Sequence, residues 1–213
     1  GPRIREALHL VHDMVEAGQA LCIMGNHEFN ALGWYMPAPP GSGRDFVREH
    51  SPRFARLLQE TFQQFEHYPE EWKAFREWFY DLPLFLETER FRVVHACWDS
   101  RVIARLRPLL NDGRINPAIL REAGLPGTFI CQALDRLLRG TDMPLPEGMT
   151  LTSEEGFVRT FFRTKFWEEN PQTYGDVVFQ PDGLPEHAAR LPLSPQQKNR
   201  LFLDRKSTRL NSS

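Results

Sequence analysis

The chain has 213 residues, is 41% hydrophobic and 12% aromatic, and carries a formal charge of −2. That length suits one domain with a sizeable core, and the near-balanced charge argues against a nucleic-acid-binding module driven by a basic face. No run reaches the length of a membrane span, and Gly1–Glu6 does not resemble a signal peptide because no apolar run comes after its basic residues. Cys22, Cys97 and Cys131 are odd in number and lack CxxC spacing. They speak against a disulfide framework or zinc knuckle and for reduced thiols in a cytoplasmic protein.

Ile4, Leu8, Val11, Met14 and Val15 recur at helical spacing, with Arg5, Glu6, His12 and Asp13 on the other face, so a helix opens the chain. Gly18 supplies its left-handed end. Ala20–Met24 is a continuous apolar run, expected as a buried central strand, and Gly25 stops it. Ligands of α/β sheets bind at the carboxyl ends of strands, where Asn26, His27 and Glu28 fall.

Trp34 to Gly43 (WYMPAPPGSG) reads as a surface loop. From Arg44 to Tyr80 the pattern is helical, with Phe54, Leu57, Leu58, Phe62 and Phe65 as one apolar stripe. Pro69 begins a second helix bearing Trp72, Phe75, Trp78 and Phe79; their spacing favours core or cap packing over a binding platform. Leu84–Glu87 and Phe91–Val94 are expected as two strands joined by Thr88-Glu89-Arg90, with His95 ending the second. Arg101 to Gly148 is mixed, with helical segments punctuated by Pro and Gly. Phe157 to Trp167 is expected to be helical and Val177–Phe179 a short strand. Asp204–Ser213 loses apolar periodicity and reads as a non-native polar tail, while Gly1 runs into a helix like a cut end.

Gly25-Asn26-His27-Glu28 combines residue types with distinct uses. Glycine permits a sharp turn, and an Asn side-chain oxygen ligates a divalent cation without adding charge. A neighbouring His can protonate a leaving alkoxide. Glu28 can fix the loop by accepting backbone or Arg hydrogen bonds. His95, at the end of another apolar strand, is a suitable ligand for Mn, Fe or Zn.

Gly25-Asn26-His27-Glu28 after an apolar strand, with Val93-Val94-His95-Ala96 much later in the chain, resembles the calcineurin-like metallophosphoesterases. The match is closest to the branch containing phosphoprotein phosphatases, diadenosine tetraphosphatases and bacterial polynucleotide phosphatases. The resemblance implies an α/β fold, a four-layer sandwich of two mixed sheets flanked by helices, with helical cap or insertion segments at about residues 35–82 and 101–170. It implies two divalent metal ions (Mn, Fe or Zn, with Mn favoured) that activate a water for hydrolysis of a phosphate ester. Asn26 and His95 would be ligands of the second metal, and His27 the acid that protonates the leaving group. Gly25 and Glu28 would support the loop.

Cys97 and Trp98 depart from the commoner Val-His-Ala-Gly version and point to an atypical subgroup. Gly1-Pro2 before a helix resembles the stretch directly after the family's Gly-Asp-x-x-Asp-Arg motif, so the Asp-x-His pair and the bridging aspartate are expected to be missing. Residues 196–213 contain no histidine for the family's final Gly-His motif. Residues 1–203 are therefore expected to form an incomplete catalytic domain, inactive as it stands, of a protein acting on a phosphorylated small molecule, a nucleotide or a phosphoprotein. Neither a membrane nor general nucleic-acid binding is expected.

Cysteine-phosphatase chemistry would need an Arg six positions after Cys97, but Ile103 stands there, so Cys97 reads as a small, semi-buried residue. Asp99 and Arg101 are candidates for substrate contact or for a surface ion pair. Arg163, with Arg159 and Lys165, reads as a basic wall for an anionic substrate or as the solvated face of an amphipathic helix. His9, His12, His50, His67 and His187 show no ligand spacing and read as surface residues. The competing functional class is a non-catalytic binding or scaffold module that keeps the phosphoesterase fold.

Overall fold

A computed structural model of the chain describes residues 1–152, 158–168, 170–179 and 184–198. The protein is mixed α/β, with helices predominating and, among the described residues, strands paired into small antiparallel sheets. It divides into two units. The first comprises Gly1–Trp98 and Val102–Leu138; the second comprises Asp99–Arg101 and the described residues from Arg139 onward. No helix among the described residues is long and apolar enough to cross a membrane.

The first unit opens with α1 (Ile4–Glu16). As its sequence predicts, Gly18 ends the helix in the left-handed region (φ +66°), donating its N–H to the Val15 carbonyl at 2.9 Å. The next expectation is corrected. Ala20–Met24 is not a strand: no described strand runs beside it, and Leu21 is 71% exposed. An apolar run becomes a strand only where a neighbour takes its N–H and C=O groups. Here Met24 alone reaches the deep core, and its N–H donates to the Pro83 carbonyl at 2.9 Å.

α2 (Asn26–Tyr35) comes at once. The loop after it folds back onto the helix, with the N–H groups of Val47 and Arg48 donating to the carbonyls of Met36 and Gly33. His50 lies stacked between the rings of Trp34 (centroids 3.9 Å) and Phe46 (4.2 Å), and its Nε2 reaches the Trp34 carbonyl at 2.8 Å. Arg44–His50 is therefore not helical, contrary to the pattern-based expectation. The helix waits for Ser51, an N-cap whose hydroxyl accepts from the Phe54 N–H, and for Pro52 in its first turn.

In α3 (Pro52–Phe65), Leu58 and Phe65 are buried, with Phe62 packed against the core, but Leu57 is exposed. At 100° per residue, Leu57 falls about 60° outside the arc shared by residues 54, 58, 62 and 65. α4 (Pro69–Phe79) buries Trp72, Phe75, Trp78 and Phe79, as their spacing predicts. His9 and His12 of α1 present ring edges to Phe75 and Trp78. Both are half-buried rather than surface residues, because α4 lies against that face of α1.

β1 (Phe85–Glu87) and β2 (Arg92–Val94) form the expected antiparallel hairpin, with Phe85 opposite Val94. Thr88 makes the turn by accepting the N–H groups of Arg90 and Phe91 on its hydroxyl. Next in the chain are α5 (Ser100–Leu106), α6 (Pro117–Glu122) and α7 (Phe129–Arg139). α6 is capped by Asn116, and α7 buries Ile130, Ala133, Leu134, Leu137 and Leu138.

In the second unit β3 (Asp142–Pro144) pairs with β6 (Phe161–Arg163), and β4 (Leu151–Thr152) with β5 (Val158–Arg159). The helix expected over Phe157–Trp167 is thus replaced by strands, with Phe157 itself outside the described residues. Burial alternates along Phe161, Phe162, Arg163 and Thr164, the period of a strand rather than of a helix. The strand expected at Val177–Phe179 is also corrected. Val177 ends the short helix α8 (Tyr174–Val177), and Val178 bridges Thr164. α9 (Glu186–Ala189) completes a small core of Met143, Phe162, Tyr174, Val177, Val178 and Ala188.

Candidate functional site

Two local structures in the first unit bring the loop and His95 together. The Met24–Pro83 hydrogen bond lays the chain before Gly25 beside the start of β1. The register of the hairpin sets Val94 opposite Phe85, so His95 leaves β2 at that same end. The outcome is close contact. A Cβ placed on Gly25 would lie 3.1 Å from Nδ1 and 3.2 Å from Cε1 of His95.

The loop is the start of α2. Gly25 is the N-cap, and Asn26, His27 and Glu28 form the first turn. Glu28 accepts the Gly25 N–H at 2.9 Å, the loop-fixing role its position suggests. The Gly25 carbonyl accepts from the Phe29 N–H, so the helix is regular from its first turn. His27 and His95 are exposed, while Asn26 and Glu28 are half-buried. Cys22 also belongs to this neighbourhood. Burial, and secondarily the negative charge of Glu28, pushes its thiol above the ordinary range. Sequence reading missed Cys22, since no spacing rule ties a lone cysteine to a carboxylate six positions on.

The donor set falls short of the cations that the family resemblance implies. Asn26 and His95 offer two donors, whereas zinc sites take three or four protein ligands. Among the described residues, no group of three or more His, Cys, Asp or Glu side chains could hold a metal ion. The residues present do not fit two cations.

Asp99, Arg101 and Arg163 belong to the second unit. Asp99 is buried and accepts the Arg101 N–H at 3.0 Å, which makes it a local backbone acceptor. Arg101 is exposed. Arg163 lies 3.7 Å from Asp142, its partner across the β3–β6 ladder. Cys97 is fully buried, which suits packing better than nucleophilic chemistry.

Compared with family models, with curated proteins and with solved structures, the chain matches none.

Proposed function

We propose that the protein is a hydrolase of phosphate esters of the metallophosphoesterase type, and that Gly25–Glu28 with His95 are this chain's share of its site. The observation that supports this is the packing of the His95 imidazole against Gly25, which joins two motifs far apart in sequence. The exposed His27 imidazole is suited to protonate a leaving alkoxide. The first-turn amides of α2 favour the oxygens of a phosphoryl group. The architecture proposed with it is the four-layer sandwich of two mixed sheets, and the location is cytoplasmic. The substrate class is a phosphorylated small molecule, a nucleotide or a phosphoprotein.

The cofactor proposed for the full site is a pair of divalent ions, manganese first. Two donors do not hold such a pair, so these residues by themselves are expected to be inactive. The same shortfall favours a second reading, a non-catalytic binding or scaffold module.

Manganese-dependent hydrolysis of para-nitrophenyl phosphate separates the two. The 213-residue chain should show no turnover. A chain extended upstream through an Asp-x-His pair and a Gly-Asp-x-x-Asp-Arg motif should turn over, and His27→Ala should lower its kcat by about 100-fold or more. Absence of those motifs upstream, or no turnover with them in place, leaves the scaffold reading.

A further inference from the structure

Glycine at position 25 is not there for its backbone. Its φ of −100° and ψ of 179° are extended values open to any residue. Gly18, Gly41, Gly43, Gly127 and Gly148 are the opposite case, with positive φ and nothing within 4 Å of an added Cβ. What is special at Gly25 is space. An added Cβ would meet Glu28 Oε2 at 2.6 Å and the His95 ring at 3.1 and 3.2 Å. Ordinary van der Waals contact begins at about 3.4 Å, so a methyl group would have to displace both neighbours.

We infer that Gly25 is a positioning residue for His95, the bare Cα against which both the imidazole and the Glu28 carboxylate are seated. Any side chain here moves the carboxylate off the Gly25 N–H, a bond of 2.9 Å, and pushes the imidazole back by a few tenths of an ångström. The Glu28 end is flexible and can yield. The ring, met through both Nδ1 and Cε1, must give by a few tenths of an ångström, so His95 shares the strain. This deepens the hydrolytic reading and rests on it in one respect: if the loop and His95 share a site, Gly25 sets the spacing between them. Productive constellations tolerate displacements of only about 0.5 Å.

The test uses the chain as it stands, without metal or substrate. Ring nitrogen and carbon resonances of the histidines are recorded at one fixed pH for the wild type and Gly25→Ala. The His95 signals should move while those of His9 and His12 stay in place. Urea unfolding of Gly25→Ala, His95→Ala and the double variant supplies the energetic side. The midpoint loss caused by Gly25→Ala should shrink once His95 is alanine, because the clashing partner is gone. If Gly25→Ala alone does not fold, adding His95→Ala should restore folding.

Unmoved His95 signals, equal midpoint losses in the two backgrounds, or a double variant that still does not fold would each overturn the inference. None of these readouts involves hydrolysis. An extended chain without turnover would sink the hydrolytic reading and leave the Gly25–His95 spacing standing.

Discussion

α1 and α4 carry the same kind of sequence signal and meet different fates. Both have apolar residues at helical spacing, yet α4 buries four aromatic side chains and α1 buries none completely. Leu10, Val11 and Met14 of α1 remain exposed. Arg5 and His9 reach Glu71 of α4, with Arg5 donating through Nε and Nη2 at 2.7 and 2.9 Å and His9 Nε2 at 2.8 Å. The difference teaches that periodicity identifies a face but not what covers it. α4 is held by packing, while α1 is held partly by a charged clasp.

The largest expected effect breaks the α4 side. Phe79 is 2% exposed, and Phe79→Ala should destabilise the first unit by about 3–5 kcal/mol in urea unfolding, through lost transfer energy and the cavity left behind. Glu71→Gln tests the clasp and should cost about 1 kcal/mol near neutral pH, the scale of a partly exposed ion pair.

The clasp also has a pH signature. The hydrogen bonds from Arg5 above all, and then from His9, hold the Glu71 carboxyl below its ordinary value of 4.5. A group depressed on folding contributes fully above its unfolded value, and that contribution is lost as the pH falls through the folded one. Thermal melts of wild type and Glu71→Gln should therefore converge as the solution is acidified below about pH 4.5. A gap that persists in acid would mean that Glu71 acts through packing rather than charge. The smallest effect belongs to the open face of α1. Val11→Ser and Met14→Ser should each stay within about 0.5 kcal/mol of wild type; a larger loss would show that face to be covered in solution.

The features legible in the sequence were local. Gly18, Pro69 and the Thr88 turn punctuate their elements through short-range geometry, and each lies where its chemistry predicts. Glu28 is legible for the same reason, since a carboxylate in the first turn is within reach of the N-cap amide. The expectations that failed depended on partners distant in the chain. Ala20–Met24 has strand composition but lacks a described strand beside it. Phe161–Arg163 pairs with Asp142–Pro144, a ladder that overrides the helical spacing of the aromatics.

One miss was avoidable. Thr173 and Asp176 form a threonine–acid start signal, and Asp176 accepts the N–H groups of Gln172 and Thr173, which fixes a helix before Val178. At the candidate site, the residue types were legible. The contact between Gly25 and His95 was not, because it arises from the Met24–Pro83 bond and the hairpin register together.

The proximity of Cys22 to Glu28 has a chemical consequence. Only the thiolate reacts with an alkylating agent, and the negative charge of Glu28 helps to hold this thiol protonated. The rate of iodoacetamide labelling at Cys22, read by peptide mass at fixed pH, therefore responds to burial first and to the charge at the base of the loop second. Neutralising that carboxylate with Glu28→Gln should speed labelling at Cys22, while buried Cys97 stays silent. The thiol thus carries the imprint of the Glu28 charge on top of that of its own burial.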